Sequence, residues 1–345
     1  MNIKRFIVTV LLGVLLVGAY YSWDLYNRIY SVNVVLEAES VVLRIPTGAD
    51  FEDVVVAIDS LDILLDLNSF MWVSQRKKYP SLIKPGRYVL LDGMNNNRLV
   101  NLLRSGEQSP INVVIRSVRT KTELAGLVGK NLELDSLELL EVLNSTVYGA
   151  RYGFSQTTFI TMFLPNTYEF YWNTNVDEFM ERMAREYKRY WTDERIEKAR
   201  QIGLSQSEVA ILASIVQSEQ AAHSDERPIV AGLYLNRIRK GMRLESDPTL
   251  IYALGDFSIK RVLNVHKKVQ SRYNTYIHAG LPPGPILLPE LTSIDAVLDA
   301  EEHGYLYMCA KEDFSGYHNF ASNYRDHINN AKRYQRELNR RKIYN

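Results

Sequence analysis

The sequence has one cysteine and almost no net charge. Its 345 residues carry 41 Lys and Arg against 40 Asp and Glu, a formal net charge of +1. This balance gives no electrostatic reason to expect a nucleic-acid partner. Cys309 has no second cysteine to pair with, and its apolar surroundings in the chain predict a small buried hydrophobe. Cysteine usage therefore does not indicate the compartment.

Motifs for metal and nucleophile chemistry are also lacking. The six histidines form neither an H-E-x-x-H pattern nor a close pair with cysteine, so no metal site is predicted. A G-x-S-x-G nucleophile elbow and a P-loop lysine motif are absent, although a serine hydrolase without a signature stays open. The chain contains no internal repeat and no low-complexity tract. Carboxylate chemistry among aromatic and amide side chains is what remains.

The N-terminus predicts a membrane anchor. A basic start, Met1-Asn-Ile-Lys-Arg5, precedes the uncharged and mostly apolar run from Phe6 to Trp23. About eighteen such residues just suffice to span a bilayer, and Lys4 and Arg5 should remain in the cytoplasm. A signal peptide is the alternative, but no A-x-A cleavage site is evident. We expect residues 1–24 to be an uncleaved single-pass anchor, with the rest of the chain outside the cytoplasm.

Composition and periodicity predict an α+β protein with two folded parts. Short strands and helices alternate between residues 38 and 107, where Thr47 is expected to cap a helix over Phe51–Ile58. A shift to Gly, Ser and Pro at 105–110 marks a boundary. The remainder, 110–345, is expected to be a larger mixed α+β domain.

One helix is predicted to carry a carboxylate suited to catalysis. Ser205 and Glu208 form an S-x-x-E capping box at the start of Ser205–Glu219. Glu219 lies about 60° to one side of the apolar stripe that follows. A carboxyl beside apolar groups has a raised pKa, as a general acid near neutral pH requires. The stripe comprises Val209, Leu212, Ala213 and Val216.

Glu219 has a simpler interpretation, and the search for a second catalytic carboxylate is inconclusive. A Glu at the border of a helix stripe is more often a solvated flanking charge. A glycosidase also needs a second carboxylate across the scissile bond, and Glu226, Glu245 and Asp247 are the candidates. Glu226 is better explained by a first-turn charge or an ion pair with Arg227, and Asp247 before proline by a turn. A lyase-type cleavage needs one carboxylate only, because the sugar's own 6-hydroxyl attacks C1 and no water takes part.

Tyrosines and amides follow the Glu219 helix closely enough to form a sugar-binding surface. Their rings could stack on sugars and their amides could donate hydrogen bonds. The alternative is that most of these tyrosines half-fill a core with the hydroxyl reaching water. The cluster comprises Tyr234, Asn236, Tyr252, Tyr273, Asn274, Thr275 and Tyr276.

At these residues the chain resembles the YceG-like endolytic peptidoglycan (murein) transglycosylases. Ala213-Ser-Ile-Val-Gln-Ser-Glu219 is similar to the family's A-S-I-[IV]-E-K-E motif, and the resemblance covers nearly all of the chain. Pro85-Gly-Arg-Tyr88 is similar to the start of a strand in the family's small LysM-like unit. Further matches occur in order at Glu226-Arg227, Val230-Ala231, Leu235-Asn-Arg237, Gly241-Met-Arg-Leu244, Asp247-Pro-Thr249, Tyr252, Tyr273-Asn-Thr-Tyr276, Gly280-Leu-Pro-Pro-Gly284, His318-x-Phe320 and His327.

The resemblance implies an anchor, a LysM-like unit and a catalytic domain, with Glu219 as the catalytic acid. It implies cleavage of the MurNAc–GlcNAc β-1,4 bond in nascent glycan strands, a 1,6-anhydro-MurNAc product, no cofactor, and peptidoglycan synthases (penicillin-binding proteins) as partners. Together with the polar cluster, it predicts substrate contacts by Gln217, Asn236, Arg237, Asp247, Tyr252, Tyr273, Asn274, Thr275, Tyr276, His318 and Phe320.

Two departures from the family pattern keep alternatives open. Gln217 stands where the motif has its first Glu, and Asn166 stands where the family often has Asp. Gln217 lies about 160° from Glu219 around the helix, so it should not share the role of the acid. A membrane-tethered glycan-binding scaffold without catalysis is one alternative function, and a hydrolytic muramidase is another.

Overall fold

The computed structural model describes residues 3–341 and combines many helices with short two-stranded sheets. The predicted α+β class is confirmed. The chain forms two compact units. The first comprises Met1–Val113, Asn131–Leu134 and Glu169–Asn175, and the second comprises Val114–Lys130, Asp135–Tyr168 and Val176–Asn345. The domain limits derived from the sequence, 1–24, 38–107 and 110–345, stay predictions.

The N-terminal helix α1 (Ile3–Tyr30) contains the apolar run Phe6–Trp23 of the predicted anchor, whose first two residues lie outside the described part of the chain. It buries no residue against the rest of the chain. Its length and hydropathy are sufficient to cross a membrane. The helix continues past Trp23, beyond the apolar run, to Tyr30. These properties are consistent with a single-pass membrane protein.

The first unit contains a two-stranded antiparallel sheet, and two helices connect its strands along the chain. Strand β1 (Ser40–Ile45) runs antiparallel to β2 (Gly86–Leu91), with Ser40 opposite Leu91 and Ile45 opposite Gly86. Between them lie α2 (Phe51–Asp59) and α3 (Leu67–Arg76), and α4 (Asn96–Ser105) follows β2. Fully buried Tyr88, Phe70 and Leu99 belong to the core that these elements share.

The expected cap of α2 is wrong by three residues. Asp50, not Thr47, accepts hydrogen bonds from the backbone N–H groups of Glu52 and Asp53, and Asp53 completes the capping box. A carboxylate directly before the helix reaches these donors without distortion. Thr47 instead donates its backbone N–H and its hydroxyl to Glu133.

The second unit is dominated by helices and contains the predicted catalytic segment. It contains the antiparallel hairpin of β5 (Tyr307–Ala310) and β6 (His318–Ala321), near the C-terminus. The strands β3 (Ile111–Ile115) and β4 (Asn166–Phe170), which pair with each other, each include residues assigned to both units. Cys309 in β5 is half-buried rather than fully buried. The helices are α5 (Lys121–Gly129), α6 (Ser136–Asn144), α7 (Thr146–Arg151), α8 (Val176–Tyr190), α9 (Asp193–Gln201), α10 (Gln206–Glu219), α11 (Arg227–Arg239), α12 (Asp247–Leu254), α13 (Leu291–Leu298) and α14 (Tyr324–Arg340).

Helix α10 is the central helix of the second unit, not an amphipathic surface helix. Every side chain from Val209 to Gln217 is buried. Helices α11 and α13 pack against it, with α9 and α12 making smaller contacts. A helix covered on several sides needs apolar residues all round. The stripe identified in the sequence is therefore only part of the buried surface. Rigid packing of this kind fixes where the end of α10 places Glu219.

Candidate active site

Glu219 is the last residue of α10, at the point where the buried helix ends. The predicted capping box of Ser205 and Glu208 is present at the other end. Glu219 itself is partly buried, whereas Gln220, which follows it, is 2% exposed. The helix therefore places one carboxyl at the edge of the buried core of the second unit.

Two hydroxyl groups hold the Glu219 carboxyl. Tyr234 from α11 donates to Oε1 over 2.8 Å, and Ser246, which precedes α12, donates to the same oxygen over 2.6 Å. Among residues 3–341, none makes a hydrogen bond to Oε2. Because Oε1 already accepts two hydrogen bonds, a proton on the neutral carboxyl belongs on Oε2. That arrangement leaves the acidic proton available to a bound molecule.

The surroundings of Glu219 favour its neutral form. Burial raises the pKa of Glu219, and this cause outweighs the hydrogen bonds from Ser246 and Tyr234, which lower it. The charge of Asp247 raises the same pKa and that of His318 lowers it. Desolvation disfavours the charged carboxylate. The raised pKa agrees with the sequence-based expectation for a general acid.

Asp247, Thr275 and Tyr276 lie together beside Glu219. Tyr276 donates its hydroxyl to Oδ1 of exposed Asp247. Thr275 accepts from the backbone N–H of Ser246 over 3.0 Å, and its hydroxyl lies 2.7 Å from that of Thr249. These bonds fix the segment that carries the Ser246 hydroxyl. The structure thus places three predicted site residues close to the Glu219 carboxyl.

Tyr252 and Tyr273 form an aromatic pair near a groove. Their ring centroids lie 4.8 Å apart, and Tyr252 also lines a groove of about 410 Å³. Gln217 and Ser218, from the last turn of α10, line it as well. Glu219 is not one of the residues that line this groove. The groove offers both aromatic faces and polar groups to an extended ligand.

Comparison with known proteins decides the family. The model of the YceG-like family matches residues 43–333. The chain belongs to the YceG-like family. An endolytic murein transglycosylase of Streptococcus pneumoniae is 25% identical over 375 residues, covering 96% of this chain and 65% of that protein. One of Bacillus subtilis is 24% identical over 290 residues, covering 79% of each.

The fold has a counterpart among crystal structures of this family. A YceG-like protein of Listeria monocytogenes matches with a TM-score of 0.57 at 23% identity. The match covers 84% of this chain and 98% of that one, and it shows that the two share a fold. This YceG-like chain spans just under two thirds of the length of the Streptococcus pneumoniae relative.

Gln217, the departure from the YceG-like motif, is occupied by bonds within the protein. Its Oε1 accepts from the backbone N–H of Glu290 over 2.7 Å and from the hydroxyl of Ser293 over 3.0 Å. Its Nε2 donates to Ser117 over 3.2 Å. The amide thereby joins α10 to two other segments of the second unit. It also lines the groove, and its predicted contact with substrate stays a prediction.

Three other predicted site residues of the YceG-like chain bond to backbone carbonyls. Asn236 donates to His303 and Tyr305, and Arg237 donates to Leu306 and Leu244. Asn274 is fully buried and donates to the carbonyls of Lys267 and Val269. These bonds hold loops in place, and the structure does not bring the three side chains to Glu219. Their predicted substrate contacts stay predictions.

His318 and Phe320 lie on β6. The Nδ1 of His318 is 2.7 Å from Oε2 of Glu226, and Phe320 stacks on Tyr305 with a centroid distance of 5.5 Å. Of the two roles expected for Glu226, a first-turn charge or an ion pair with Arg227, the ion pair is not formed between these two described residues. Arg227 instead contacts Glu290, since its side chain points toward the start of α13.

Ser246 and the role of Tyr234 were not found from the sequence. Ser246 stands at the N-cap position of α12, where a serine ordinarily bonds its own helix. Here its side chain makes no such bond and turns to Glu219. Tyr234 was noted only as one of several tyrosines. No local signal indicates either contact, because both depend on how α10, α11 and α12 pack.

Proposed function

We propose that this protein is an endolytic lytic transglycosylase of peptidoglycan. It would cleave the β-1,4 bond between MurNAc and GlcNAc within nascent glycan strands and leave a 1,6-anhydro-MurNAc end. The observation that carries the proposal is the Glu219 carboxyl, whose pKa is raised by burial and whose Oε2 makes no hydrogen bond to any of the described residues 3–341. The names of the curated relatives, endolytic murein transglycosylases, support the same activity.

The chemistry requires one carboxyl group that changes state. Neutral Glu219 donates its proton to the glycosidic oxygen, and the bond from that oxygen to C1 breaks. The sugar's own 6-hydroxyl attacks C1 and closes the anhydro ring. Its proton goes to the Glu219 carboxylate, which restores the acid. No water is consumed, so one new hydroxyl end and one anhydro end result.

The hydrogen bonds to Oε1 support the charged state that forms during this cycle. Tyr234 and Ser246 can each stabilise the carboxylate after proton donation, while burial keeps the resting group neutral. The aromatic pair Tyr252 and Tyr273 is proposed to support sugar rings, with Asp247 and Tyr276 contacting hydroxyls next to the scissile bond.

We further propose that α1 anchors the protein with Lys4 and Arg5 on the cytoplasmic side. Positive residues flanking a membrane helix favour that side. The second unit would then work outside the cytoplasm, where peptidoglycan is assembled. Peptidoglycan synthases are the proposed partners, because an enzyme acting on nascent strands must reach them as they are made.

Replacement of Glu219 by Gln tests the proposal. The Glu219→Gln variant keeps the shape of the side chain but cannot donate the proton, so release of anhydro-muropeptides from uncrosslinked glycan should fall by about 10²–10⁴-fold. The matched control is Glu245→Gln, which removes a neighbouring carboxylate and should retain activity. Mass spectrometry of the products separates the alternatives. A reducing end one water heavier would indicate hydrolysis, and intact strands with the parent protein would indicate a binding scaffold.

A further inference from the structure

A buried carboxylate next to the Glu219 site has no part in the one-carboxylate scheme. Glu226 is 4% exposed and lies in the 3-10 turn Ser224–Glu226 before α11. Its Oε1 accepts the backbone N–H of His318 over 2.8 Å, and its Oε2 faces Nδ1 of the same residue over 2.7 Å. Gln220 also donates its amide to Oε2. Glu226 is thus a buried carboxylate held by three donors, and the proposed function gives it no role.

These contacts fix the tautomer of His318. An ionised carboxylate can only accept, so the Nδ1 that faces Glu226 carries the proton. In the neutral ring, the lone pair is then on Nε2. Among residues 3–341, none makes a hydrogen bond to Nε2, and the side chain is 16% exposed. The imidazole therefore has a proton acceptor, Nε2, that none of these residues uses.

This acceptor belongs to the same site as the catalytic acid. Gln220, which bonds Glu226 and approaches Nδ1 of His318 to 3.4 Å, is the residue directly after Glu219. When the imidazole is protonated, its charge lowers the pKa of Glu219, so the two side chains interact electrostatically. His318 is the first residue of β6, opposite Ala310, so its backbone is held by the hairpin. A rigid backbone and a buried carboxylate together restrict the ring to one orientation.

We propose that His318 is a catalytic base that removes the proton from the attacking sugar hydroxyl, and that Glu226 is its positioning residue. The inference rests on the proposed function and assigns the second proton transfer to a different group. Glu219 protonates the leaving oxygen as the C1–O bond breaks. The 6-hydroxyl oxygen bonds to C1, and its proton passes to Nε2. Water then takes the proton from the imidazolium and returns one to Glu219, so no atom is gained or lost.

A separate base has a physical advantage over one shared group. In the one-carboxylate scheme, Glu219 must finish donating before it can accept, and the same oxygen must reach two different substrate atoms. With His318 as acceptor, both protons can move in one step, each along its own hydrogen bond. The Glu226 carboxylate also stabilises the imidazolium that forms, as the orienting acid does in other base–carboxylate pairs.

Chemical rescue tests the role of His318. In His318→Ala, kcat for anhydro-muropeptide release should fall by about 10²–10⁴-fold, and added imidazole should restore part of it in proportion to its concentration. The matched control is His223→Ala, which removes a nearby imidazole that bonds Ser315 and stacks on Tyr317. That control should stay active and should not respond to imidazole.

Glu226→Gln tests the positioning role without removing a side chain. The backbone N–H of His318 can only donate, so the new amide oxygen must face it and the new NH2 must face Nδ1. The ring then has to accept at Nδ1 and carry its proton on Nε2, where it no longer serves as a base. We expect a large loss in kcat with little change in KM.

The outcomes separate this inference from the proposed function. Activity in Glu219→Gln would contradict the proposed function whatever His318 does. If Glu219→Gln is inactive, parental activity in His318→Ala overturns the inference and leaves the one-carboxylate scheme in place. If His318→Ala does not fold, Glu226→Gln decides: parental kcat overturns the inference, and a lower kcat at unchanged KM supports it.

Discussion

The hydroxyl of Ser246 lies 2.6 Å from Oε1 of Glu219 and donates a hydrogen bond to it. The serine is almost fully covered, and its backbone N–H is held by Thr275. This hydrogen bond and burial have opposite effects on Glu219, because the bond lowers the pKa of the carboxyl and desolvation raises it. The acid strength of Glu219 is thus a balance that single hydroxyls can adjust.

Removal of the Ser246 hydroxyl should therefore change the pH profile. In Ser246→Ala the carboxylate loses one donor, so the pKa of Glu219 rises further. Because the acid stays protonated to higher pH, the alkaline limb of the kcat/KM profile should shift to higher pH. The reaction should also be slower, since the carboxylate that forms after proton donation is less stabilised. A pH series of anhydro-muropeptide release measures both effects. Ser258→Ala, an exposed serine on the same unit, is the control and should reproduce the parental profile.

Glu219 should also cost stability at higher pH. Burial raises its pKa in the folded protein above the ordinary value of 4.5. The folded state then binds the proton more tightly than the unfolded state does. The contribution of Glu219 to the free energy of unfolding is therefore complete below pH 4.5, and it is lost as the pH rises through the pKa of the folded protein. Glu219→Gln cannot ionise and should be more stable than the parent at alkaline pH.

Urea unfolding midpoints measured across pH check this expectation. The difference between Glu219→Gln and the parent should shrink as the pH falls toward 4.5. Glu245→Gln, which replaces a carboxyl whose side chain is half-exposed, should show no comparable trend. A parent that stays as stable as Glu219→Gln at all pH values would contradict the buried, neutral state of the acid.

Gln217 should be replaceable by Glu but not by Leu. A carboxylate can still accept from the Glu290 backbone N–H and from Ser293, and the Ser117 hydroxyl can turn to donate to it. Leu accepts nothing and leaves those donors without partners, at about 1–3 kcal/mol for each buried group. Urea unfolding of both variants gives the comparison. Equal stability of Gln217→Leu and the parent would show that these bonds contribute nothing.

Cys309 provides a direct test of membrane orientation. It is the only cysteine and is half-buried in β5. Burial raises the pKa of its thiol, so labelling requires mildly alkaline buffer. A membrane-impermeant maleimide added to intact spheroplasts should label the full chain if the second unit lies outside the cytoplasm. A Cys309→Ser chain carrying Lys4→Cys is the control and should react only after lysis.

Most helices of the second unit could be predicted because the sequence patterns that indicate a helix are local. The capping box of Ser205 and Glu208 and the apolar run after it depend on neighbouring residues, and the start of α10 followed from them. Where several local signals competed, the prediction was less secure. Thr47 and Asp50 are both good caps, and only the backbone geometry before α2 selected Asp50.

The burial of α10 was underestimated for a different reason. Small residues such as Ala210 and Ser214 fit either a surface or a tightly packed interior. The sequence cannot show how many neighbours a helix has. Here α11 and α13 cover much of α10, and Ser214 is fully buried. The same uncertainty applied to Cys309, which was expected to be buried and is half-exposed.

By itself the sequence determined the apolar N-terminal helix, the α+β class and the carboxylate at the end of one helix, since each depends on residues close together in the chain. Only the tertiary structure decided what touches that carboxylate. Tyr234 and Ser246 are 15 and 27 residues away from Glu219, and the pair of Glu226 and His318 is separated by 92 residues. Such contacts result from helix packing and from the β5–β6 hairpin, so they cannot be predicted from a local pattern of residue types.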